Sequence, residues 1–282
     1  MKFHLPFLYT LLLGGCAAFL PSLDERTQSS YLDIPSTPRL DSALSIPSTP
    51  SNANISHIYL LNDADGHTNL RESPDLNAKV LAKIPNGTPL ECVGEASKDN
   101  PNFCTALLQQ TAIGGYGFIH RSRLIFPASD KNFVALHEHF GRGDTLTLSG
   151  SGQTVRITAR RIHPKRSDFS GIAPNSDTAP LYRGKPFYGT DGSIPKSVFA
   201  IEQITLNGQA VPAAELQGLF LPDFATTARS SNAYDGWEAY YRGSDKTLYL
   251  FNSVNNDAGS FGMCFVFKDG KFRQRYVWTV SP

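Results

Sequence analysis

His137 and His139 flank Glu138, and the two-residue period of a strand would set both imidazoles on one face, as a pair of metal ligands requires. His163 and Asp168 are the conceivable further ligands. The competing expectation is an exposed polar segment at a domain junction. Cys264 is embedded in an apolar run, Phe261 to Phe267, and no histidine follows it in the chain. A thiolate nucleophile needs an imidazole partner, so a buried, inert thiol is expected there. The sequence has neither a Gly-x-Ser-x-Gly elbow nor a His-Glu-x-x-His helix. These patterns point away from an enzyme and assign no catalytic residue, metal or cofactor.

Two clusters are suited to binding instead. Arg156, Arg160, Arg161, Lys165 and Arg166 form a basic run that could meet an acidic partner, against the plainer expectation of a solvated strand face. Tyr234, Trp237, Tyr240 and Tyr241 stand beside Asp235, Glu238 and Arg242. Such a patch serves protein or glycan interfaces as readily as it packs sheets. Tyr234, Trp237 and Tyr241 are therefore candidate binding residues.

The elements that must position these residues are strands. Short runs of Val, Ile, Phe and Tyr are punctuated by Gly, Asn and Pro, and helical periodicity is nearly absent, so the fold class is mainly β. Lys plus Arg total 26 against 25 Asp plus Glu, which gives no charge bias toward nucleic acid. Phe133 to Phe140 reads as a helical turn or a strand. Thr145-Leu146-Thr147-Leu148 turns through Ser149-Gly150-Ser151-Gly152 into Thr154 to Ala159. Phe199 to Leu206 ends at Asn207-Gly208, and the last hairpin turns at Lys268-Asp269-Gly270-Lys271, a strong two-residue signal.

The stretch from Asp63 to Leu124 has its own grammar. Asp65-Gly66 supplies a tight turn, Leu70 points inward, and Ser73-Pro74 ends the strand. Val80, Leu81 and Ile84 make the next apolar patch, and Pro85-Asn86-Gly87 turns into Pro89 to Val93. Gly115 and Gly117 bracket Tyr116 where backbone must approach backbone, and Phe118-Ile119 supplies a closing strand. Together these segments resemble the bacterial SH3 domain, a compact β-barrel of envelope and secreted proteins that often binds peptidoglycan or peptides. The resemblance implies a small SH3-like barrel over residues 57–127, followed by a second β-rich domain over 130–282. Tyr116, Phe118 and His67 are its candidate binding residues. Phe103-Cys104 stands where many such domains carry Trp, and His67 stands where Tyr is common, so the expected ligand groove departs from the usual one.

The amino terminus sets the expected compartment. Met1 to His4 is weakly basic, Leu5 to Leu13 is apolar but too short to span a bilayer, and Leu13-Gly14-Gly15-Cys16 follows. This resembles the lipobox of bacterial lipoproteins, which implies a signal peptide over 1–15 and acylation of Cys16, palmitate included. Two or three acyl chains hold a protein on a membrane where one does not. Ala17, rather than Asp, implies sorting to the outer membrane, facing the periplasm. Residues 16–56 are rich in Ser, Pro and Thr and repeat Ile-Pro-Ser-Thr-Pro at Ile34 and Ile46. That composition makes a tether with a reach on the order of 35 Å. In an oxidising periplasm, Cys92 and Cys104 on adjacent strands are expected to pair.

The functional expectation is a lipid-anchored envelope binding protein whose SH3-like domain engages peptidoglycan or a peptide. Tyr188 to Pro195 and Asn256 to Phe261 faintly resemble periplasmic domains that accompany secreted-toxin loci. The alternative is therefore an immunity protein or inhibitor of a cell-wall hydrolase delivered by a rival bacterium. The expected partners are peptidoglycan or an envelope peptide, a secreted hydrolase in the alternative, and the membrane through the anchor.

Overall fold

The structure is a computed structural model that describes residues 58–93, 100–109, 116–140, 144–171, 181–188, 194–222, 224, 236–254 and 260–279. All of them belong to one compact unit, Thr49–Pro282. The signal segment, Cys16, the tether and Tyr234 lie outside the described residues. The chain is mainly β, with no α-helix among the described residues.

The first seven strands are β1 (Ile58–Leu61), β2 (His67–Arg71), β3 (Val80–Pro85), β4 (Pro89–Val93), β5 (Phe103–Leu107), β6 (Tyr116–His120) and β7 (Leu124–Ile125). They pair in the order β3-β2-β6-β5-β4-β1-β7 and do not close into a ring. The expected barrel is thus an open sheet. Leu61, Leu70, Leu90, Cys92, Cys104, Ala106 and Ile119, from five of its strands, nevertheless meet in one apolar cluster, so the sheet curls around its own inner face. The expected turns are present, with Gly66 at φ +76° and Gly87 at φ +78°, where only glycine is unstrained. A Cβ on Gly117 would sit 3.0 Å from the Arg71 carbonyl oxygen, which is the close backbone approach expected there.

The segment read as helical turn or strand becomes two short strands, β8 (Phe133–Ala135) and β9 (His137–Phe140), which serve different sheets. Next come β10 (Thr145–Gly150), β11 (Gln153–Ile162), β12 (Phe169–Ser170), β13 (Leu181–Tyr182), β14 (Lys185–Pro186), β15 (Val198–Leu206), β16 (Gln209–Ala210) and β17 (Phe220–Leu221). The chain ends in β18 (Gly236–Arg242), β19 (Thr247–Val254), β20 (Phe261–Lys268) and β21 (Lys271–Thr279). One sheet runs β16-β15-β11-β10-β9, with β17 also on β15; another runs β21-β20-β19-β18-β8; β12, β13 and β14 form a small third. The hairpin turns carry Ser151, Asn207 and Asp269 at positive φ, each followed by glycine, as a two-residue reverse turn demands.

The sheet of β8 and β18 to β21 is a middle layer. Trp237, Ala239, Leu248, Leu250, Met263 and Phe265 point to one side and pack with Leu146, Ile157 and Ile204 of the β10-β11-β15 sheet. Tyr240, Tyr249, Phe251, Cys264 and Trp278 point to the other side and pack with Ile58 and Leu60 of β1. Burial on both faces explains why β19 and β20 are near-continuous apolar runs rather than alternating ones. It also joins the first sheet to the last hairpin through a shared core.

Candidate binding groove between the first sheet and the middle layer

The first sheet covers only part of the middle layer. Where it stops, a groove of about 780 Å³ opens between them, within the size range of ligand sites. Its first wall is the turn Pro85–Thr88 with the ends of β1 and β5. Local bonds fix that wall. The Asn86 side chain donates to the Asp63 carbonyl at 2.7 Å and accepts from the Asp63 N–H at 2.9 Å. The Gly87 N–H donates to the Leu61 carbonyl at 2.8 Å. Glycine at 87 also keeps the turn close to the opposite wall, since a Cβ there would lie 3.0 Å from the Tyr249 hydroxyl oxygen.

The second wall is the outer face of β19, β20 and β21 with the β18–β19 turn. Tyr249 and Tyr276 present hydroxyls into it. Burial pushes the Tyr249 hydroxyl up to about 12, with the nearby Arg242 guanidinium opposing the shift. Burial also raises Tyr276, whose hydroxyl is hydrogen-bonded to Thr88 and donates to Gln274 at 3.2 Å. Both phenols are neutral at physiological pH, and the Tyr276 proton is already given to Gln274.

Arg242 and Asp245 close one end of this wall. The guanidinium donates two bonds to the carboxylate, at 2.9 and 2.6 Å, and lies over the Phe133 and Tyr249 rings at 5.4 and 5.9 Å. Burial would raise Asp245, but hydrogen bonds from Arg242 and Thr247 carry its carboxyl below the ordinary range. The pair is a fixed, self-neutralised strut. Lys268 and Arg273 also line the groove, are exposed, and make no ion pair among the described residues.

Behind the groove the two layers are locked. Trp278 is 1% exposed, and its indole lies against Gly262, where a Cβ would collide with the ring. The ring N–H donates to Glu91 Oε2 at 2.7 Å. Glu91 stands opposite Ile58 and Leu107 in an apolar setting. Burial raises its carboxyl above the ordinary range, while the Trp278 bond pulls the other way.

The residues singled out from sequence are distributed otherwise. Tyr116 and Phe118 lie two apart on β6, with Tyr116 62% exposed. Arg71 of β2 is opposite Phe118, and His67 lies four residues back along β2, about 13 Å at the rise of a strand. His67 bonds the Asp65 carbonyl through Nδ1 at 3.1 Å. The three therefore do not converge on one spot, and none lines the groove. Trp237, 5% exposed, is turned into the core between the middle layer and the β10-β11-β15 sheet, and Tyr241 packs against the same core. Tyr240 faces the opposite way, so alternation along β18 splits this aromatic cluster.

His137 and His139 lie opposite Ser149 and Thr147 on the neighbouring strand. His163 is engaged with the Lys196 carbonyl, and Asp168 with Lys165 and Arg183. Among the described residues, no group of three or more His, Cys, Asp and Glu is placed to hold a metal. The basic run is exposed and dispersed. Arg160 pairs with Glu202, and Arg161 stacks over Phe199. Cys92 and Cys104 are disulfide-bonded across β4 and β5, with Cα atoms 5.7 Å apart. Cys264 is free and fully buried, and burial pushes its thiol well up.

Sequence reading missed Glu91, Tyr249, Tyr276 and Trp278. A signal was present for Tyr249 alone, a polar-tipped aromatic in a run otherwise too apolar to have a solvent face. No family model, curated protein or solved structure matches the chain.

Proposed function

We propose that this protein is a lipid-anchored binding protein of the bacterial cell envelope. In this reading the groove between the first sheet and the middle layer holds a peptide, the peptide stems of peptidoglycan foremost. Cys16 carries the acyl chains and residues 16–56 lift the folded unit from the outer membrane toward the cell wall. The observation that carries the binding role is the groove itself. It combines two neutral tyrosine hydroxyls, the amides of Asn86 and Gln109, and a rigid Arg242–Asp245 strut in one concave surface. Fixed polar groups on an apolar floor are what orient an extended peptide.

The test is co-sedimentation of the full chain, held in detergent, with purified peptidoglycan sacculi. Recovery in the pellet over a range of salt is expected, and recovery only in the supernatant overturns the reading. The anchor is tested separately, by incorporation of a palmitate analogue that Cys16→Ala abolishes.

A further inference from the structure

We infer that the groove selects ligands bearing free carboxylates, with Lys268 and Arg273 as its specificity-determining residues. This rests on the peptide-binding reading above and adds the chemical class of what is bound. The groove's charged lining consists of Arg242, Asp245, Lys268 and Arg273. Arg242 and Asp245 neutralise each other through two hydrogen bonds. Among the described residues, Lys268 and Arg273 have no carboxylate partner. The concave surface therefore carries two uncompensated positive charges although the whole chain is close to neutral, at +1.

Their placement is set by the fold. Lys268 ends β20 and Arg273 follows the turn at Asp269-Gly270, so one hairpin brings both to the same end of the groove. A register shift between Val266 and Phe267 leaves Phe267 opposite Phe272 and Val266 opposite Gln274. Arg273 is the extra residue of that bulge, and bulges re-aim side chains in this way. Phe272 packs into the core while Arg273 and Gln274 line the groove. A charged pair in a concave, partly apolar surface concentrates field lines and attracts anions. A carboxylate held there would accept hydrogen bonds from Lys268 and Arg273, with the Tyr249 hydroxyl beside it for a neighbouring amide. Peptidoglycan stems, which present carboxylates on short peptides, match this chemistry.

The test compares sacculi with free carboxyl groups against the same sacculi after carbodiimide amidation. The full chain in detergent is expected to co-sediment with the first about tenfold better than with the second. The double variant Lys268→Gln, Arg273→Gln is expected to lose the same factor on untreated sacculi, as two exposed ion pairs would give. Lys271→Gln changes an exposed charge on the same hairpin outside the groove and is expected to bind like the parent. Equal binding to amidated and untreated sacculi overturns carboxylate selection while leaving the peptide-binding reading standing. Equal loss in the Lys271→Gln variant overturns the assignment to Lys268 and Arg273. Binding to neither preparation overturns both readings.

Discussion

Trp278 donates its indole N–H to Glu91 at 2.7 Å across 187 residues of sequence, and the bond crosses the seam between the first sheet and the middle layer. Both residues are buried, so neither can turn to water if the other is lost.

Trp278→Phe removes the donor and leaves the Glu91 carboxylate buried without it. Hydrogen bonds to charged groups contribute about 1.5–3 kcal/mol, so a loss of about 3 kcal/mol in unfolding free energy is expected by urea denaturation. A loss under about 0.5 kcal/mol, the level of an ordinary surface change, would show that the bond does not secure the seam.

Burial of the same carboxyl sets a pH dependence, which the Trp278 bond only moderates. Burial raises Glu91 in the folded protein, so the folded state holds that proton more tightly than the unfolded chain does. Its contribution to stability is complete below the unfolded value, about 4.3, and is lost as pH rises through the folded one. Glu91→Gln stays neutral and keeps an amide oxygen for the indole. Thermal midpoints followed from pH 4 to 8 are expected to fall more steeply in the parent than in the variant. Parallel slopes would contradict the assignment to Glu91.

Gly262 is the floor on which the indole rests. A Cβ there would overlap three ring atoms of Trp278, and the strand on either side leaves little room for relaxation. Gly262→Ala is expected to cost about 3 kcal/mol, the upper end for overpacking. Gly152→Ala provides the comparison, because its site is open and only its φ of +70° is strained. Denaturant midpoints that drop equally in the two variants would argue against a packed indole.

The disulfide staples β4 to β5 across a 12-residue separation. In the chain-entropy picture a loop of this size contributes roughly 3 kcal/mol. Replacing Cys92 and Cys104 together by Ala is expected to lower the unfolding free energy by about that amount and to make the thermal midpoint insensitive to reductant. A midpoint that still falls with reductant would place the sensitivity elsewhere.

Removing the first sheet uncovers the outer face of the middle layer, including Tyr240, Tyr249, Phe251 and Trp278. A chain of residues 130–282 alone is expected to bind a hydrophobic dye and to self-associate. A monomeric, dye-silent fragment would show that the two parts fold independently.

The sequence made the hairpins legible because their chemistry is local. Asn207-Gly208 and Asp269-Gly270 need nothing beyond two residues to declare a turn, and both sit at positive φ as expected. The Cys92–Cys104 pair was legible for a similar reason, since the intervening loop is short. Phe133 to Phe140 was ambiguous because it contributes to two sheets on either side of Leu136, and no single period describes it. The groove was not legible. It arises where β1 meets β19 and β21, strands separated by most of the chain, and periodicity carries no information about which distant face covers which. The Trp237 cluster looked like a surface because its polar neighbours are close in sequence, whereas alternation along β18 sends successive side chains to opposite cores.

The order in which the chain is made has a consequence for its survival. β1 to β7 leave the ribosome well before β21, and at 5–20 residues per second the 187 residues between Glu91 and Trp278 take on the order of 10 to 40 s to synthesise. Through that interval Ile58 and Leu60 have no middle layer to cover them, and Glu91 has no indole to meet. The amino-terminal third has no cover for that surface until the last strands arrive, so a truncated transcript is expected to yield a sticky product rather than a smaller working one.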